Sequence, residues 1–299
     1  LPIRQKKTVI VIAGPTAVGK TAVGIAVARR FGTEIISADS RQCYREMNIG
    51  VARPSPDELA AVPHHFIASH SIHEKINAAT FEAYALAKAE EIFRKADTVV
   101  MVGGTGLYIK AFTDGMDAIP DVPEEVHNNV VAAYNHNGLS WLQEKIKTMD
   151  PLFYSKGEIQ NPQRLMRALE VVEATGRSVL SFRTGEKKER PFNVVKICLD
   201  LPREELYRRI NHRVDVMMEN GLLEEVRSLL PYQHLNALQT VGYKELFAHL
   251  SGELSLPEAI NAIKQNTRHY AKRQLTWFRK DENYRWLPPD AAAVLSSLQ

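Results

Sequence analysis

The chain has 299 residues, 44% of them hydrophobic and 24% charged, with a net charge of +3 and a pI near 8.7. This composition excludes a disordered or fibrous chain, and no apolar run approaches the length of a membrane span, so a globular cytoplasmic protein without membrane contact is expected. The basic balance is too mild to establish a nucleic-acid partner by itself, and the widely separated Cys43 and Cys198 match no metal-ligand spacing, which points to a reducing compartment without a disulfide framework.

The first predicted element is a strand over 8–13, a short apolar run rich in β-branched residues. It runs into Gly14-Pro15-Thr16-Ala17-Val18-Gly19-Lys20-Thr21, which fits the phosphate-loop pattern at every fixed position. Helix-spaced Val23, Val27 and Phe31 then predict a helix over 21–31. Strand, glycine turn and helix in this order make an anion site. Backbone N–H groups wrap the anion, the helix N-terminus adds partial positive charge, Lys20 adds a full one, and the Thr21 hydroxyl can hold Mg²⁺. The motif alone suggests a nucleotide such as ATP, but it does not say whose phosphates it holds.

A second buried strand over 34–37 delivers Ala38-Asp39-Ser40-Arg41-Gln42 at its C-terminal end, where α/β sheets place their chemistry. Asp39 there can be a magnesium ligand, a general base or a helix cap. The Gly/Pro-punctuated loop over 47–56 contains Arg53, a cation able to reach a phosphate or to lie in solvent. His64, His65, His70 and His73 fall close together, yet they offer neither a helical His-x-x-x-His pair nor a neighbouring cysteine, which argues against zinc. A helix over 79–95 and a buried strand over 98–102 follow. That strand ends in Gly103-Gly104-Thr105-Gly106 rather than in an acid. A nucleoside-triphosphate hydrolase ends such a strand with an Asp that helps hold Mg²⁺. Its absence leaves the metal to Thr21 and Asp39, or makes the loop the holder of a diphosphate whose chemistry is not hydrolysis.

From 120 to 190 the alternation of strand and helix lapses. Helices are predicted over 123–136, 140–148 and 162–175, the last with Pro162 at its first position and Gly176 as its stop. The next strand is predicted only at 194–199, so the chain divides into core 1–119, helical insertion 120–190 and core 191–299. Within the insertion, Gln163-Arg164-Leu165-Met166-Arg167 places Arg164 and Arg167 on one side of a helix. The helix over 203–218 carries Arg208, Arg209 and Arg213, any of which can close over a phosphate or lie on the surface. The polar stretch 238–244 precedes another helix. The last long helix, over 257–279, opens the clearest charge asymmetry: Lys264, Arg268, Lys272, Arg273, Arg279, Lys280 and Arg285 stand against Asp281 and Glu282, interleaved with Tyr270, Trp277, Phe278 and Tyr284. That mixture suits a polyanion with exposed bases, or equally a basic helix packed on the core through Leu275 and Phe278.

Taken together, the phosphate loop, Ser37-Ala38-Asp39-Ser40-Arg41-Gln42-Cys43-Tyr44 and Gly103-Gly104-Thr105-Gly106-Leu107-Tyr108 resemble the tRNA dimethylallyltransferases, also called tRNA isopentenylpyrophosphate transferases. Further matches are Asn161-Pro162-Gln163-Arg164-Leu165-Met166-Arg167-Ala168-Leu169-Glu170, Val241-Gly242-Tyr243-Lys244-Glu245 and Ala271-Lys272-Arg273-Gln274-Leu275-Thr276-Trp277-Phe278-Arg279, so the resemblance covers essentially the whole chain. It implies an α/β fold, a P-loop NTPase-like parallel sheet flanked by helices with a helical insertion. The implied reaction transfers a dimethylallyl group from dimethylallyl diphosphate to N6 of adenosine 37 in tRNA, by a monomer.

By the same resemblance, Asp39 is the general base, and Thr16 and Thr105 lie at the reacting centre. Gly14, Pro15, Thr16, Ala17, Val18, Gly19, Lys20, Thr21 and Arg213 hold the diphosphate, and Mg²⁺ sits on Thr21 with Asp39 as a second candidate ligand. The implied tRNA contacts are Asp39, Ser40, Arg41, Gln42, Thr105, His127, Gln163, Arg164, Leu165, Met166, Arg167, Val241, Gly242, Tyr243, Lys244, Lys272, Arg273, Gln274, Thr276, Trp277 and Arg279, with the insertion gripping the anticodon stem-loop. The chain departs from the family pattern at His127, where a basic residue, often arginine, is usual, and at Cys43, where an aliphatic one is. It also has no Cys/His tail after Trp286, as in the short bacterial form.

Two other enzymes would share the phosphate loop. An adenylate isopentenyltransferase, with AMP or ATP as acceptor, is opposed by the tRNA-type motifs at 163–167 and 272–279. A small-molecule kinase is opposed by the basic, aromatic last helix and by the insertion. A non-catalytic RNA-binding protein would not need Asp39 and Lys20 at the ends of neighbouring core strands.

Overall fold

Among residues 7–299, which the computed structural model describes, six strands form one all-parallel sheet. The first six positions of the expected 1–119 segment lie outside the described residues. The strands are β1 (Thr8–Ala13), β2 (Ile35–Ser37), β3 (His64–His65), β4 (Thr98–Gly103), β5 (Asn193–Leu199) and β6 (Tyr284–Leu287), in the order β3-β2-β4-β1-β5-β6. Val9 to Ala13 of β1 are buried throughout, as a strand covered on both faces requires. Thr8 stands opposite both Thr98 and Asn193, and Ala13 opposite both Gly103 and Cys198, so β1 and β4 end level and β5 one residue beyond them. Their carboxyl ends therefore open onto one crevice, the place where open α/β sheets bind ligands.

Around this sheet lie α1 (Lys20–Phe31), α2 (Pro56–Ala61), α3 (Ala78–Phe93) and α4 (Gly106–Asp114). The sheet and α1 share a core that includes Ile10, Ile12, Val23, Val27, Val100 and Ile197. The hydrophobic spacing predicted α1, α3 and the central strands closely. It did not reveal β3, only two residues long, or β6, whose Arg285 interrupts the apolar pattern. Tyr284 is thereby corrected: its side chain is 8% exposed in a strand paired with β5, and it is not part of an exposed aromatic surface.

The chain divides into two units, one comprising Leu1–Asp114 with Glu189–Gln299 and the other Gly115–Lys188. The second unit holds α5 (Glu124–Met149), α6 (Pro151–Lys156) and α7 (Pro162–Thr175) around its own core of Leu142, Ile146, Phe153, Leu165, Leu169 and Val172. Gly138, at φ 76°, breaks α5 where the sequence predicted the gap between two helices, a backbone conformation that glycine adopts without a Cβ clash. At α7 the Asn161 side chain accepts hydrogen bonds from Gln163 N and Arg164 N at 3.1 and 3.4 Å, Pro162 opens the first turn, and Gly176 closes the last.

After β5 the first unit resumes with α8 (Arg203–Glu219), α9 (Leu222–Ser228), α10 (Tyr243–Leu250), α11 (Leu256–Phe278) and, beyond β6, α12 (Ala291–Ser296). Among the described residues no helix is long and apolar enough to cross a membrane.

Candidate active site

The phosphate loop leaves β1 under a tight steric constraint. Gly14 has φ 148°, and a Cβ there would come within 2.7 Å of the Leu199 carbonyl oxygen on β5. Within the loop Lys20 Nζ donates to the Pro15 carbonyl at 2.7 Å. Burial, then the neighbouring Arg213 guanidinium, push the Lys20 ammonium down to about 8. Arg213, on α8, donates through Nη1 to Thr16 Oγ1 at 3.5 Å and is itself held below its ordinary value by burial. Among the described residues neither cation has a carboxylate within ion-pairing distance. Two poorly solvated cations without an ion-pair partner among the described residues, set at the phosphate loop and the N-terminus of α1, form a site for a multiply charged anion.

Asp39 leaves β2 and faces the same space. Its Oδ1 accepts hydrogen bonds from Arg41 N at 2.9 Å and Gln42 N at 3.2 Å, which is the capping arrangement the sequence allowed. Its Oδ2 has no hydrogen-bond partner among the described residues, and the residue lines the cavity. The turn after β4 supports this geometry. Thr105 N donates to the Ala38 carbonyl at 3.1 Å, and Thr105 Oγ1 accepts from Ser40 N at 3.1 Å. A Cβ on Gly103 would collide with the Ala38 backbone, so glycine is what lets β4 approach β2 so closely.

Two side chains of α11 complete the site. Gln274 accepts from Thr16 N and donates to the Gly104 carbonyl, both at 2.9 Å, tying the phosphate loop to the glycine turn. Tyr270, one turn earlier, shares a hydrogen bond with Thr105, and burial followed by the Asp39 carboxylate pushes its phenol up to about 12.

Two cavities meet here. The first, about 320 Å³, is bounded by Thr16, Lys20, Thr21, Gln42, Arg53 and Gln274 among others. The second, about 220 Å³, is bounded by Ser40, Arg41, Gly50, Thr240, Val241 and Gly242. Thr16, Asp39, Val51, Ala52, Arg213 and Tyr270 line both, so Asp39 stands on their common wall.

Of Arg208, Arg209 and Arg213 on α8, Arg213 is the one that lines the cavities among the described residues: Arg208 is exposed, and Arg209 pairs with Glu205 at 2.7 Å and donates to the Val18 carbonyl at 3.4 Å. Arg53 lines the first cavity, but its Nη2 is already committed to the carbonyls of Tyr44, Arg45 and Met47. The four histidines go to different partners: His64 to the Val62 carbonyl, His65 to Glu34, His70 to Ser69, and His73 edge-on to Tyr232.

The expected RNA-facing residues divide. Lys244, Lys272, Arg273, Thr276, Trp277, Arg279, Gln163 and Arg164 are exposed. Arg164 pairs with Glu158 at 2.6 Å, and His127 Nδ1 and Arg167 Nη1 share the buried Glu170 carboxylate at 2.8 and 3.5 Å. Arg41 Nη1 is held by the Asn236 and Ala237 carbonyls at 2.9 and 3.0 Å. Four side chains turn inward: Leu165 and Met166 pack in the core of the helical unit, Tyr243 is fully buried with its hydroxyl on Glu225, and Gln274 is the clamp just described. Glu225 itself had no signal in the sequence, since the backbone it binds lies about 175 positions away.

Fold and site together define a P-loop NTPase-like α/β protein with an anion cradle, a carboxylate on the wall of two cavities and no acid ending β4. A family model described as IPP transferase matches residues 42–281. A tRNA dimethylallyltransferase of Christiangramia forsetii is 51% identical, with 93% of this chain and 92% of that protein aligned. Among solved structures, the full-length tRNA isopentenylpyrophosphate transferase of Bacillus halodurans superposes with a TM-score of 0.71 at 36% identity, over 98% of this chain and 94% of that one. A eukaryotic dimethylallyltransferase acting on tRNA gives 0.78 at 26% identity, over 96% and 75%. The chain belongs to the IPP transferase family.

Proposed function

We propose that this enzyme transfers the dimethylallyl group of dimethylallyl diphosphate to N6 of adenosine 37 in tRNA, leaving N6-dimethylallyladenosine and diphosphate. The observation that carries the reading is Asp39 on the wall shared by two cavities, one walled by the cationic phosphate loop and the other by Ser40, Arg41, Val241 and Gly242. The names of the relatives supply the reaction class; the two-sided site supports it.

In this mechanism the donor's diphosphate lies against the loop amides, Lys20 and Arg213, and the acceptor base enters the second cavity. The N6 lone pair forms the new bond to the allylic carbon as the carbon–oxygen bond to diphosphate breaks, its electron pair leaving with the diphosphate. Positive charge then appears on N6, and Asp39 Oδ2 takes the proton. An exocyclic adenine amine holds that proton too tightly for removal beforehand, so proton transfer accompanies or follows displacement. Lys20 and Arg213 stabilise the charge that builds on the leaving group, the larger electrostatic contribution. Thr16, fixed through its N–H by Gln274 and through its hydroxyl by Arg213, and Thr105, hydrogen-bonded to Ser40 and Tyr270, border the reacting centre.

The oxygens present fit Mg²⁺. The Thr21 hydroxyl lines the first cavity without a protein hydrogen bond among the described residues, and Asp39 offers one unengaged oxygen. Bound there, Mg²⁺ would neutralise part of the diphosphate charge. Thr21 is its proposed protein ligand, which leaves Asp39 Oδ2 for the proton.

A stacked base cannot reach this crevice, so adenosine 37 is turned out of its loop. The proposed contacts with the anticodon stem-loop are the exposed Lys272, Arg273, Thr276 and Trp277 of α11, and Gln163, Arg164 and His127 of the helical unit. The proposed working form is a cytoplasmic monomer.

The test supplies labelled dimethylallyl diphosphate and Mg²⁺ with either unmodified tRNA or AMP. Label in tRNA at N6 of adenosine 37 is the expected result. Label in AMP alone would make the chain an adenylate isopentenyltransferase, and label in neither would sink the transferase mechanism.

A further inference from the structure

Gly50, Val51 and Ala52 form part of the second cavity's wall, and Ala52 sits at a left-handed φ of 48°. An alanine keeps that backbone only where its surroundings hold it. The restraint comes from distant parts of the chain. Glu225 on α9 accepts from Asn48 N and Ile49 N through Oε2 at 3.2 and 2.7 Å, and from Gly50 N through Oε1 at 3.1 Å. Its Oε1 also accepts the Tyr243 hydroxyl at 2.6 Å. The Tyr243 ring lies so close to Gly50 that a Cβ there would come within 2.6 Å of it. From the other side Gln42 Nε2 donates to the Val51 and Ala52 carbonyls at 3.2 and 2.9 Å, while Gln42 N holds Asp39 Oδ1.

We propose that Glu225, backed by Tyr243, is a positioning residue for the acceptor: it holds the 48–50 backbone and so sets the wall of the adenosine cavity that begins at Gly50, and Gln42 keeps Val51 and Ala52 of that wall in register with the Asp39 carboxylate. Of the residues whose N–H groups Glu225 holds, Gly50 lines the second cavity and none lines the first, and among the described residues no hydrogen bond or ion pair joins Glu225 to a phosphate-binding group, so its effect falls first on the acceptor. A single carboxylate accepting three backbone N–H groups and a phenol is strongly directional, because charge-assisted bonds lose most when a donor replaces an acceptor. The Val241-Gly242-Tyr243 stretch thereby supplies two cavity-lining residues and the buttress behind Gly50. This proposal rests on reading the second cavity as the acceptor's.

Steady-state kinetics of the full chain test it, varying unmodified tRNA at saturating dimethylallyl diphosphate and then the reverse. Glu225→Gln places an NH₂ group against the backbone N–H donors. It is expected to raise KM for tRNA about tenfold while KM for dimethylallyl diphosphate moves less than about twofold. Tyr243→Phe keeps the three backbone bonds and is expected to shift the same ratio in the same direction by less. Glu225→Asp, which retains the charge, is expected to fall between wild type and Glu225→Gln. Unchanged ratios, or both KM values rising together, overturn the proposal. Should Glu225→Gln fail to fold, Tyr243→Phe decides by the same split. A wild-type chain that labels no tRNA overturns the transfer reading and this proposal with it; a labelling wild type with unaltered variants overturns this proposal alone.

Discussion

Asp39 divides its work between its two oxygens. Oδ1 caps the turn through two backbone N–H groups, and Oδ2 is left without a hydrogen-bond partner among the described residues in a side chain that lines both cavities. Asparagine at this position can still accept both N–H bonds through its oxygen but offers no base. Asp39→Asn is therefore expected to lower single-turnover transfer by ~10²–10⁴ while leaving tRNA affinity unchanged, and near wild-type transfer would remove Asp39 from the proton step. Lys20 yields a second test. Its pKa falls to about 8 in the folded chain, first through burial and then through Arg213, against an ordinary 10.5. Between those values the unfolded chain holds more protons, so the Lys20 contribution to stability rises with pH across that window. Urea unfolding of wild type and Lys20→Met at about pH 8 and about pH 9.5 should show wild type gaining on the variant, and a constant difference would place Lys20 in solvent. Both residues were readable in the sequence because residue type and strand-end position carry the signal. The division of Asp39 was not, because it depends on which oxygen the turn engages. By spacing alone Arg213 stood level with Arg208 and Arg209; the family resemblance singled it out, and its bond to Thr16 gives the physical reason.

At the scale of elements, the periodicities gave most strands and helices, while the faces of α11 needed the fold. Tyr270 and Gln274, four apart, turn toward the site; Lys272, Arg273 and Thr276 turn toward solvent. A motif of mixed polar residues thus holds a clamp on one side and an RNA-facing surface on the other, and type alone could not separate them. Gln274→Leu leaves the Thr16 N–H and the Gly104 carbonyl without their partner. It should cost about 1–3 kcal/mol in urea unfolding and weaken diphosphate binding, whereas an unaffected chain would show that the phosphate loop holds its shape alone. Asn161-Pro162-Gln163-Arg164 shows the same economy: Asn161 and Pro162 start α7, and the exposed Gln163 and Arg164 follow. β6 stayed hidden because a four-residue strand with an exposed arginine carries no clear alternation.

For the molecule as a whole, a net charge of +3 says little, since binding of a polyanion depends on which cations are free. Lys272 is exposed with no ion pair among the described residues, while Arg164 already holds Glu158. The salt dependence of tRNA binding should consequently flatten by about one counterion for Lys272→Ala and by less for Arg164→Ala, read from log affinity against log salt; equal slopes would discard Lys272 as a phosphate contact. The level pairing of β1 with both β4 and β5 also has a consequence for synthesis. β4 follows β1 closely enough to pair early, but Asn193–Leu199 emerges only after the whole of Gly115–Lys188. That helical unit carries its own core and can close while the strand bearing the phosphate loop still has one edge open. The nascent chain therefore passes through a stage in which β1 offers unpaired backbone to any neighbouring strand, and that stage lasts as long as it takes to translate the insertion.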